Sequence, residues 1–387
     1  ETVWQVIKIC KKIFPYTKIK LGGLYPSLCY EHSLLSGADI IHQGEFCDAD
    51  KYMPDYSLLQ YQFDARAFYF SLGCPVLPCC DFCAVRAVSP VFKVFDIDKM
   101  IEWINSEFQK GIKIFFMYAS QLLIQKDKFI YFCQKIIELE LVEKGLELYA
   151  PEGIQPSLFT EETAELMSKA GFKSIEIPME TASENRMKEY NKPSQKSDIE
   201  KAINLAQKKQ FKKIKVFIMT GMPNQDCEEV IESITYCWSR NTQPTIMLFT
   251  PVPKSKIYEN NEEFRSRQLE LLNPYLIPAA NKNLTCADIE EIVIYSKIGP
   301  NAVLNRESKN PRINKIFRYY CDKYKIQYRN YSLADIKKLL GFALLTIIFL
   351  HIGFYTANCC GPNFDEAYLF WKTPKDIISL PETNYYR

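Results

Sequence analysis

The sequence lacks an excess of charge of either sign, and this absence limits its possible partners. Lys and Arg number 48 against 46 Asp and Glu in 387 residues. Such a balance provides no basic field for nucleic acid and no acidic tail typical of disordered proteins. Hydrophobic residues make up 47% of the chain, enough for a large core, and the length predicts about two or three domains. We therefore expect a globular protein without a nucleic-acid partner.

A signal peptide is also missing at the start of the chain. Residues 1–4 are Glu-Thr-Val-Trp, and no basic stretch leads into an apolar one. The spacing of a small secreted disulfide framework is absent too, because many of the 14 cysteines lie singly in apolar segments. These single cysteines are Cys10, Cys29, Cys133, Cys227, Cys237 and Cys286. We expect them to be reduced core residues of a cytoplasmic protein.

Four other cysteines fall close together in a segment that we call the cysteine loop. Residues 71–83 read Ser-Leu-Gly-Cys-Pro-Val-Leu-Pro-Cys-Cys-Asp-Phe-Cys. Thiolates at this density can converge on one metal centre, whereas a disulfide would use only two of them. The segment resembles the cluster-binding loop of radical S-adenosylmethionine (SAM) enzymes. In that family, three cysteines spaced C-x3-C-x2-C, with an aromatic residue before the last, bind a [4Fe-4S] cluster.

The resemblance implies a role for each cysteine. Cys74, Cys80 and Cys83 would each bind one iron, and Cys79 is the rival for the middle position. Five residues separate Cys74 from Cys80 and four separate it from Cys79, where the family usually has three. The fourth iron would bind SAM through its amino and carboxylate groups. The alternative is a zinc site that Cys79 or Cys80 forms with Cys83 and a distant ligand.

From residue 67 onward, short β-branched or aromatic runs alternate with amphipathic segments. The pattern predicts strands at 67–72, 113–118, 146–150, 174–179, 214–220 and 245–250. It predicts helices at 96–109, 127–142, 160–170, 196–209 and 226–239. Such alternation favours a parallel sheet whose functional residues follow the strand ends.

The order of these segments resembles the six-stranded partial barrel of radical SAM proteins, particularly those associated with a cobalamin-binding domain. We therefore expect an α/β fold. It comprises a partial (β/α)6 TIM-like barrel, an N-terminal Rossmann-like fragment and a mostly helical C-terminal region. The corresponding domains are 1–60, which includes the linker, then 61–275 and 276–387.

The resemblance also implies SAM-binding positions after the strands. These are Phe82, Tyr118, Ser120, Glu180, Gly221 and Pro223. Phe82 would pack beside the adenine, Glu180 would accept hydrogen bonds from the ammonium or ribose, and Gly221 would let backbone approach the adenosine. The plainer alternatives are core packing for Phe82, a helix-start carboxylate for Glu180 and a strand-to-helix turn for Gly221.

The segment after the second strand departs from the family. Ala119 and Ser120 stand where the family commonly has acidic residues. The SAM ammonium would therefore lose a charged partner unless backbone carbonyls or Glu152 replace it. This difference predicts weaker SAM binding, and it makes a degenerate, non-catalytic homologue an alternative.

The two flanking regions carry weaker signals. Neither His32 nor His42 lies in the Asp-x-His-x-x-Gly motif that binds cobalt in the related domain. We therefore favour a structural cap of α/β type for residues 1–60 over a cobalamin-binding fragment, and cobalamin use stays an open alternative. Near the C-terminus, helices are predicted at 287–297, 311–323 and 333–352. The apolar run 339–355 is barely long enough to span a bilayer, and we favour a buried helix over membrane association.

Taken with the resemblance, the sequence predicts a radical SAM enzyme with a [4Fe-4S] cluster, SAM and an unknown substrate. An external one-electron donor, such as a flavodoxin or ferredoxin, would reduce the cluster. SAM would then be cleaved to methionine and a 5′-deoxyadenosyl radical, with methylation among the possible outcomes. A degenerate scaffold and a zinc-stabilised module are the two other hypotheses.

Overall fold

The computed structural model describes residues 2–45, 51–57, 63–269, 272, 283–300, 303 and 310–326. The strands of this part are β1 (Lys20–Leu21), β2 (Ile40–Ile41), β3 (Ala65–Leu72), β4 (Lys93–Val94), β5 (Ile114–Ala119), β6 (Glu147–Tyr149), β7 (Ser174–Glu180), β8 (Lys213–Thr220) and β9 (Gln243–Leu248). The first helices are α1 (Thr2–Ile13), α2 (Leu24–Leu28), α3 (Tyr30–Leu34), α4 (Val85–Val88), α5 (Ile97–Gln109), α6 (Lys126–Glu138) and α7 (Glu161–Lys169). They are followed by α8 (Glu184–Glu189), α9 (Lys196–Lys208), α10 (Cys227–Ser239), α11 (Lys256–Glu259), α12 (Glu262–Ser266), α13 (Cys286–Ile298) and α14 (Pro311–Lys323).

Six parallel strands form the framework of the fold. Strands β3, β5 and β6 pair in that order, with β4 antiparallel at the outer edge, and β7, β8 and β9 pair in the same way. An isolated parallel bridge between Leu148 and Phe172 links the two sheets. The six strands therefore follow one another in chain order, and within the described ranges no ladder closes β9 onto β3. This arrangement confirms the predicted α/β class with an open, barrel-like sheet.

The helices cover the outer face of these strands because both carry apolar residues at matching periods. On β5, Phe115 and Met117 alternate with partly exposed residues and join the main core. On α6, the buried residues Phe129, Phe132, Cys133 and Ile136 repeat at helical spacing. Phe132 meets Phe70 of β3 edge to face, with ring centroids 5.9 Å apart. These periods explain why most of the predicted segments match the observed elements within two residues.

Helix α6 is the main exception among these boundaries. The sequence predicts a helix at 127–142, but α6 ends at Glu138. Glu140 then adopts a φ of 53°, in the left-handed region that cannot continue a right-handed helix. Apolar residues after the helix, such as Leu141 and Leu146, are buried in the core. In the sequence they continue the periodic pattern beyond the end of the helix. The prediction was therefore too long by one turn.

The described parts of the flanking regions contact the barrel to different degrees. Ile289 of α13 and Phe317 of α14 are buried in the same core as the barrel strands. By contrast, Val6, Ile9 and Ile13 of α1 remain exposed. The predicted domain boundaries stay predictions. The predicted helix at 333–352, the apolar run 339–355 and the pair Cys359–Cys360 lie outside the described residues, and no described helix is both long and apolar enough to cross a membrane.

One buried ion pair anchors β3 to α5 and provides a test of this packing. The Nε of Arg66 donates to Oε2 of Glu107 at 2.6 Å, and both side chains are buried. We expect Arg66→Met to lower the free energy of unfolding by about 2 kcal/mol, because a buried carboxylate would keep only the exposed Lys110 as its partner.

Urea denaturation under reducing conditions would measure this change. The double variant Arg66→Met/Glu107→Leu should recover much of the loss, since it removes both charges. An Arg66→Met variant as stable as the wild type would contradict the importance of the pair.

Candidate functional site

The cysteine loop includes the last two residues of β3 and leaves the strand at Gly73. This residue has a φ of 77°, and a Cβ there would lie 2.6 Å from the carbonyl oxygen of Val91. Any other residue would be both strained and too close to that backbone. A register shift between Tyr69 and Ser71 on β3 immediately precedes this turn. Such irregularities change the direction of the chain at the end of a strand.

Cys80 and Cys83 lie mostly inside the protein, close to one another and to Cys74. Burial raises the pKa of Cys80 to about 11, although the nearby Lys192 ammonium opposes this shift. The charges that add to it are those of Cys83, Glu180 and Cys74. Burial likewise raises the pKa of Cys83. The three predicted ligands thus lie in one region of the structure, with the Glu180 carboxylate and the Lys192 ammonium near Cys80.

Cys79, the rival for the middle position, is placed differently. Its Sγ lies 3.8 Å from the backbone carbonyl oxygen of Val76 and turns back into its own loop. It also acts on the pKa of Cys83, so it too lies near that thiol. Both middle cysteines are therefore close to Cys83, and the assignment of Cys80 as the middle ligand stays a prediction.

The thiols of the cysteine loop decide which kind of metal group would suit it. No group of three Cys, His, Asp or Glu side chains within the described ranges is arranged so that it could hold one metal ion. Cysteine thiolates are the ligands of iron–sulfur clusters, where each binds a different iron. The donor chemistry of the loop, three thiols in one region, therefore fits a cluster.

Glu180 ends β7 in an unusual conformation. It has a φ of 68°, and the pairing of β7 with β8 shifts register between Pro178 and Glu180. Non-glycine residues in this region are costly and collect at functional sites. The carboxylate is buried, and its Oε1 accepts a hydrogen bond from Nζ of Lys192 at 2.9 Å. Glu180 is therefore not the exposed helix-start carboxylate that the plainer interpretation expected.

Lys192 is a site residue that the sequence analysis missed. Its side chain is 9% exposed and its partner Glu180 is 8% exposed. Burial lowers the pKa of Lys192, but the carboxylate of Glu180 together with the thiols of Cys80 and Cys83 more than reverses this, so the pKa lies above its ordinary value. The ammonium also lies 5.8 Å from the ring centroid of Phe82. No short-range spacing marks this lysine, because its role depends on how the segment after α8 folds back.

Phe82 belongs to a second, smaller core beside the cysteine loop. Its ring meets Tyr190 edge to face, with centroids 6.2 Å apart. It also packs against a cluster that includes Met222 and Phe249. The hydroxyl of Tyr190 is buried and has no hydrogen-bond partner within the described ranges. Phe82 thus has the core contacts of the plainer interpretation, at a position directly next to the thiols.

The turn after β8 is fixed by a buried glutamine. Gln225 accepts hydrogen bonds at Oε1 from the backbone N–H of Gly221 at 2.9 Å and of Met222 at 3.4 Å. Its Nε2 donates to the carbonyl of Met219 at 2.9 Å. Gly221 has a φ of 94°, which glycine adopts without strain. Pro223, next along the turn, lines a cavity of about 200 Å³ that Asp81 and Tyr190 also line.

The end of β5 carries two of the predicted positions. Tyr118 lies 5.9 Å from Tyr69 between ring centroids, and Ser120 is half-buried in the turn that follows. Burial raises the pKa of Glu152, from the loop after β6, and the nearby backbone N–H of Ala119 opposes this shift. A carboxylate from the neighbouring loop therefore reaches the place where the sequence lacks an acidic residue.

The barrel strands and the cysteine loop lie in a region that resembles a known protein family. A family model described as the radical SAM superfamily matches residues 68–237, from β3 to α10. This region is a radical SAM domain. It contains all nine sequence-predicted site residues and the pair formed by Glu180 and Lys192.

Known proteins resemble the chain over the radical SAM domain and its surroundings. The anaerobic magnesium-protoporphyrin IX monomethyl ester cyclase of Rubrivivax gelatinosus is 24% identical over 249 residues, which cover 60% of this chain and 43% of the cyclase. An uncharacterised protein of Methanocaldococcus jannaschii is 25% identical over 203 residues, which cover 48% of this chain and 40% of that protein. The chain thus spans less than half the length of these curated relatives.

A solved structure extends the likeness in fold. The cobalamin-dependent SAM radical enzyme OxsB, with aqua-cobalamin bound, aligns with a TM-score of 0.50 at 11% sequence identity. The alignment covers 96% of this chain and 64% of OxsB. At this identity the likeness shows the fold alone.

The placement of the two middle cysteines in the radical SAM domain generates a direct test. After anaerobic reconstitution with iron and sulfide, we expect Cys80→Ala to lose the brown chromophore and most bound iron, because its thiol is mostly buried and lies near those of Cys74 and Cys83. Cys79→Ala is the matched control and should retain both.

Absorbance in the visible range would measure the chromophore, and iron analysis would measure the bound iron. The opposite pattern, with loss in Cys79→Ala and retention in Cys80→Ala, would show that the middle ligand is misassigned.

Proposed function

We propose that the chain is a radical SAM enzyme that binds a [4Fe-4S] cluster through Cys74, Cys80 and Cys83 and cleaves SAM reductively. The superfamily implies both cofactors. The cluster, when bound, supplies the electron that splits SAM into methionine and a 5′-deoxyadenosyl radical. The radical would then act on a substrate that the fold does not identify, because the barrel fixes the cofactor site and the loops set specificity.

One observation carries the proposal: a buried carboxylate and a buried ammonium, paired with each other, lie near the thiol of Cys80. Glu180 and Lys192 both act on the pKa of Cys80 and are paired at 2.9 Å. SAM carries an ammonium and a carboxylate of its own, so it offers a complementary partner to each member of the pair. Buried charges are tolerated only when paired, and a ligand of this kind could replace the internal pair without leaving a charge alone.

The residues of the chain have separate tasks in this proposal. Glu180 and Lys192 orient the charged end of SAM. Gln225 holds the turn at Gly221, where backbone can approach the adenosine. The ring of Phe82 covers the adenine side of the cysteine loop and excludes water. Charged hydrogen bonds of this kind gain strength where water is excluded.

Glu152 compensates in this proposal for the missing acidic residues at Ala119 and Ser120. Its carboxylate lies near the backbone N–H of Ala119, at the end of β5. From there it can accept a hydrogen bond from the SAM ammonium. The position of this carboxylate supports an active enzyme over the degenerate scaffold.

The reaction needs an electron from outside the site, and we propose that a flavodoxin- or ferredoxin-type protein supplies it. Cys79, Cys80 and Cys83 line a surface cavity of about 310 Å³, so the thiol side of the loop is accessible from outside. Cobalamin is not part of the proposal, because neither His32 nor His42 lies in a cobalt-binding motif. His32 instead hydrogen-bonds Tyr25 and stacks on Trp4.

Reductive SAM cleavage tests the function directly. Anaerobically reconstituted protein, reduced with dithionite, should convert SAM to 5′-deoxyadenosine, measured by mass spectrometry. Cys80→Ala is the control and should form none. A protein that binds iron and sulfide but forms no 5′-deoxyadenosine would favour the degenerate scaffold, and one that binds zinc instead would favour the structural module.

Calorimetric titration of SAM tests the roles of the carboxylates. We expect Glu180→Gln and Glu152→Gln to weaken SAM binding by roughly tenfold each, since one charged hydrogen bond is worth about 1.5 kcal/mol or more. Ser120→Asp should tighten binding by adding a carboxylate at the end of β5. Unchanged affinity in all three variants would place the SAM pocket elsewhere.

A further inference from the structure

Asp81, between two of the cysteines, is bound to two other parts of the chain through its backbone. Its N–H donates to the carbonyl oxygen of Tyr190 at 3.0 Å. Its carbonyl oxygen accepts from the N–H of Ile257 at 2.9 Å. Tyr190 ends α8, and Ile257 lies in α11, which follows β9. The centre of the cysteine loop is therefore held at both of these segments.

The side chain of Asp81 repeats the same two connections. Oδ1 accepts from Nδ2 of Asn191 at 2.5 Å, and Oδ2 accepts from Nζ of Lys256 at 2.9 Å. The Asp81 side chain is 13% exposed, whereas that of Lys256 is 61% exposed. Asn191 has a φ of 54°, a conformation that asparagine tolerates better than most residues. Four hydrogen bonds thus converge on one residue of the loop.

These contacts lie across the open side of the barrel. The cysteine loop follows β3, the first of the six parallel strands, and α11 follows β9, the last. Since no ladder joins these two strands in the described part of the chain, the bonds of Asp81 connect both edges of the open sheet. Lys192 comes directly after Asn191, so the same contacts set the distance between Cys80 and the Glu180–Lys192 pair.

We propose that Asp81 is a positioning residue that holds the cysteine loop against the Glu180–Lys192 pair across the open side of the barrel. Its effect on SAM rests on the proposed function, whereas its effect on the loop does not. Asp81 is not a ligand of the cluster, so its removal keeps the three thiols. Its bonds set the position of the cluster relative to the groups that orient SAM.

The test combines four variants of the full chain. Asp81→Ala removes both side-chain bonds, and Asp81→Asn keeps an acceptor but loses the charge. Asn191→Gly removes one donor to Asp81 and is compatible with the left-handed backbone at this position. This variant replaces Asp81→Ala in the test if Asp81→Ala fails to fold. Lys188→Gln, an exposed position on α8, is the control.

Hydrogen–deuterium exchange of the metal-free chain measures how well the cysteine loop is held in place without a cluster or SAM. In Asp81→Ala we expect the amides of residues 79–84 to exchange about tenfold faster, because a charged hydrogen bond is worth roughly a factor of ten. Asn191→Gly should show a smaller acceleration and Lys188→Gln none. Unchanged exchange in Asp81→Ala would overturn the proposal, even if the wild-type chain bound no cluster and the proposed function failed.

SAM titration and electron paramagnetic resonance of the reconstituted protein test whether Asp81 positions the cluster relative to the groups that orient SAM. Asp81→Ala should keep the iron content of the wild type, bind SAM about tenfold more weakly and lose most of the SAM-induced change in the spectrum of the reduced cluster. Asp81→Asn should restore part of both. Faster loop exchange with wild-type SAM affinity and spectrum would overturn the positioning role and leave a purely structural one.

Discussion

The buried ion pair between Glu180 and Lys192 is the interaction around which the site is arranged. Removing two charges from water costs several kcal/mol for each, so such a pair survives only where the surrounding fold imposes it. Here the end of β7 supplies the carboxylate in a left-handed conformation, and the segment after α8 supplies the ammonium. The thiols of Cys80 and Cys83 lie in the same desolvated region. A ligand with one charge of each sign suits this environment better than a neutral one.

The parallel order of the strands explains how distant segments reach this pair. Because β3 to β9 run in the same direction apart from β4, their following loops meet at one edge of the sheet. The cysteine loop, Glu152, Glu180 and the turn at Gly221 all follow such strands. Asp81 then joins the cysteine loop, which follows β3, to α11, which follows β9. The sheet does not pair these two strands within the described residues. The cofactor site is therefore a property of strand order together with a few long-range bonds.

The sequence was sufficient for what depends on local pattern. Apolar periods located the six parallel strands, and the glycine, proline and cysteine residues at 71–83 marked the loop. It was not sufficient for contacts between distant residues: Asp81 meets Asn191 and Lys256 at separations of 110 and 175 residues. The ammonium of Lys192 and the hydrogen bonds by which Gln225 fixes the turn after β8 were not predicted for the same reason. The end of α6 was misplaced because buried residues beyond it continued the helical pattern.

The central claim is that SAM binds an iron of the cluster beside Cys74, Cys80 and Cys83. Electron–nuclear double resonance of the reduced, reconstituted protein with SAM labelled by ¹⁵N at its amino group measures this contact directly. The account predicts a hyperfine coupling between the cluster and the labelled nitrogen. A reduced cluster that shows no coupling to the nitrogen of bound SAM would contradict it.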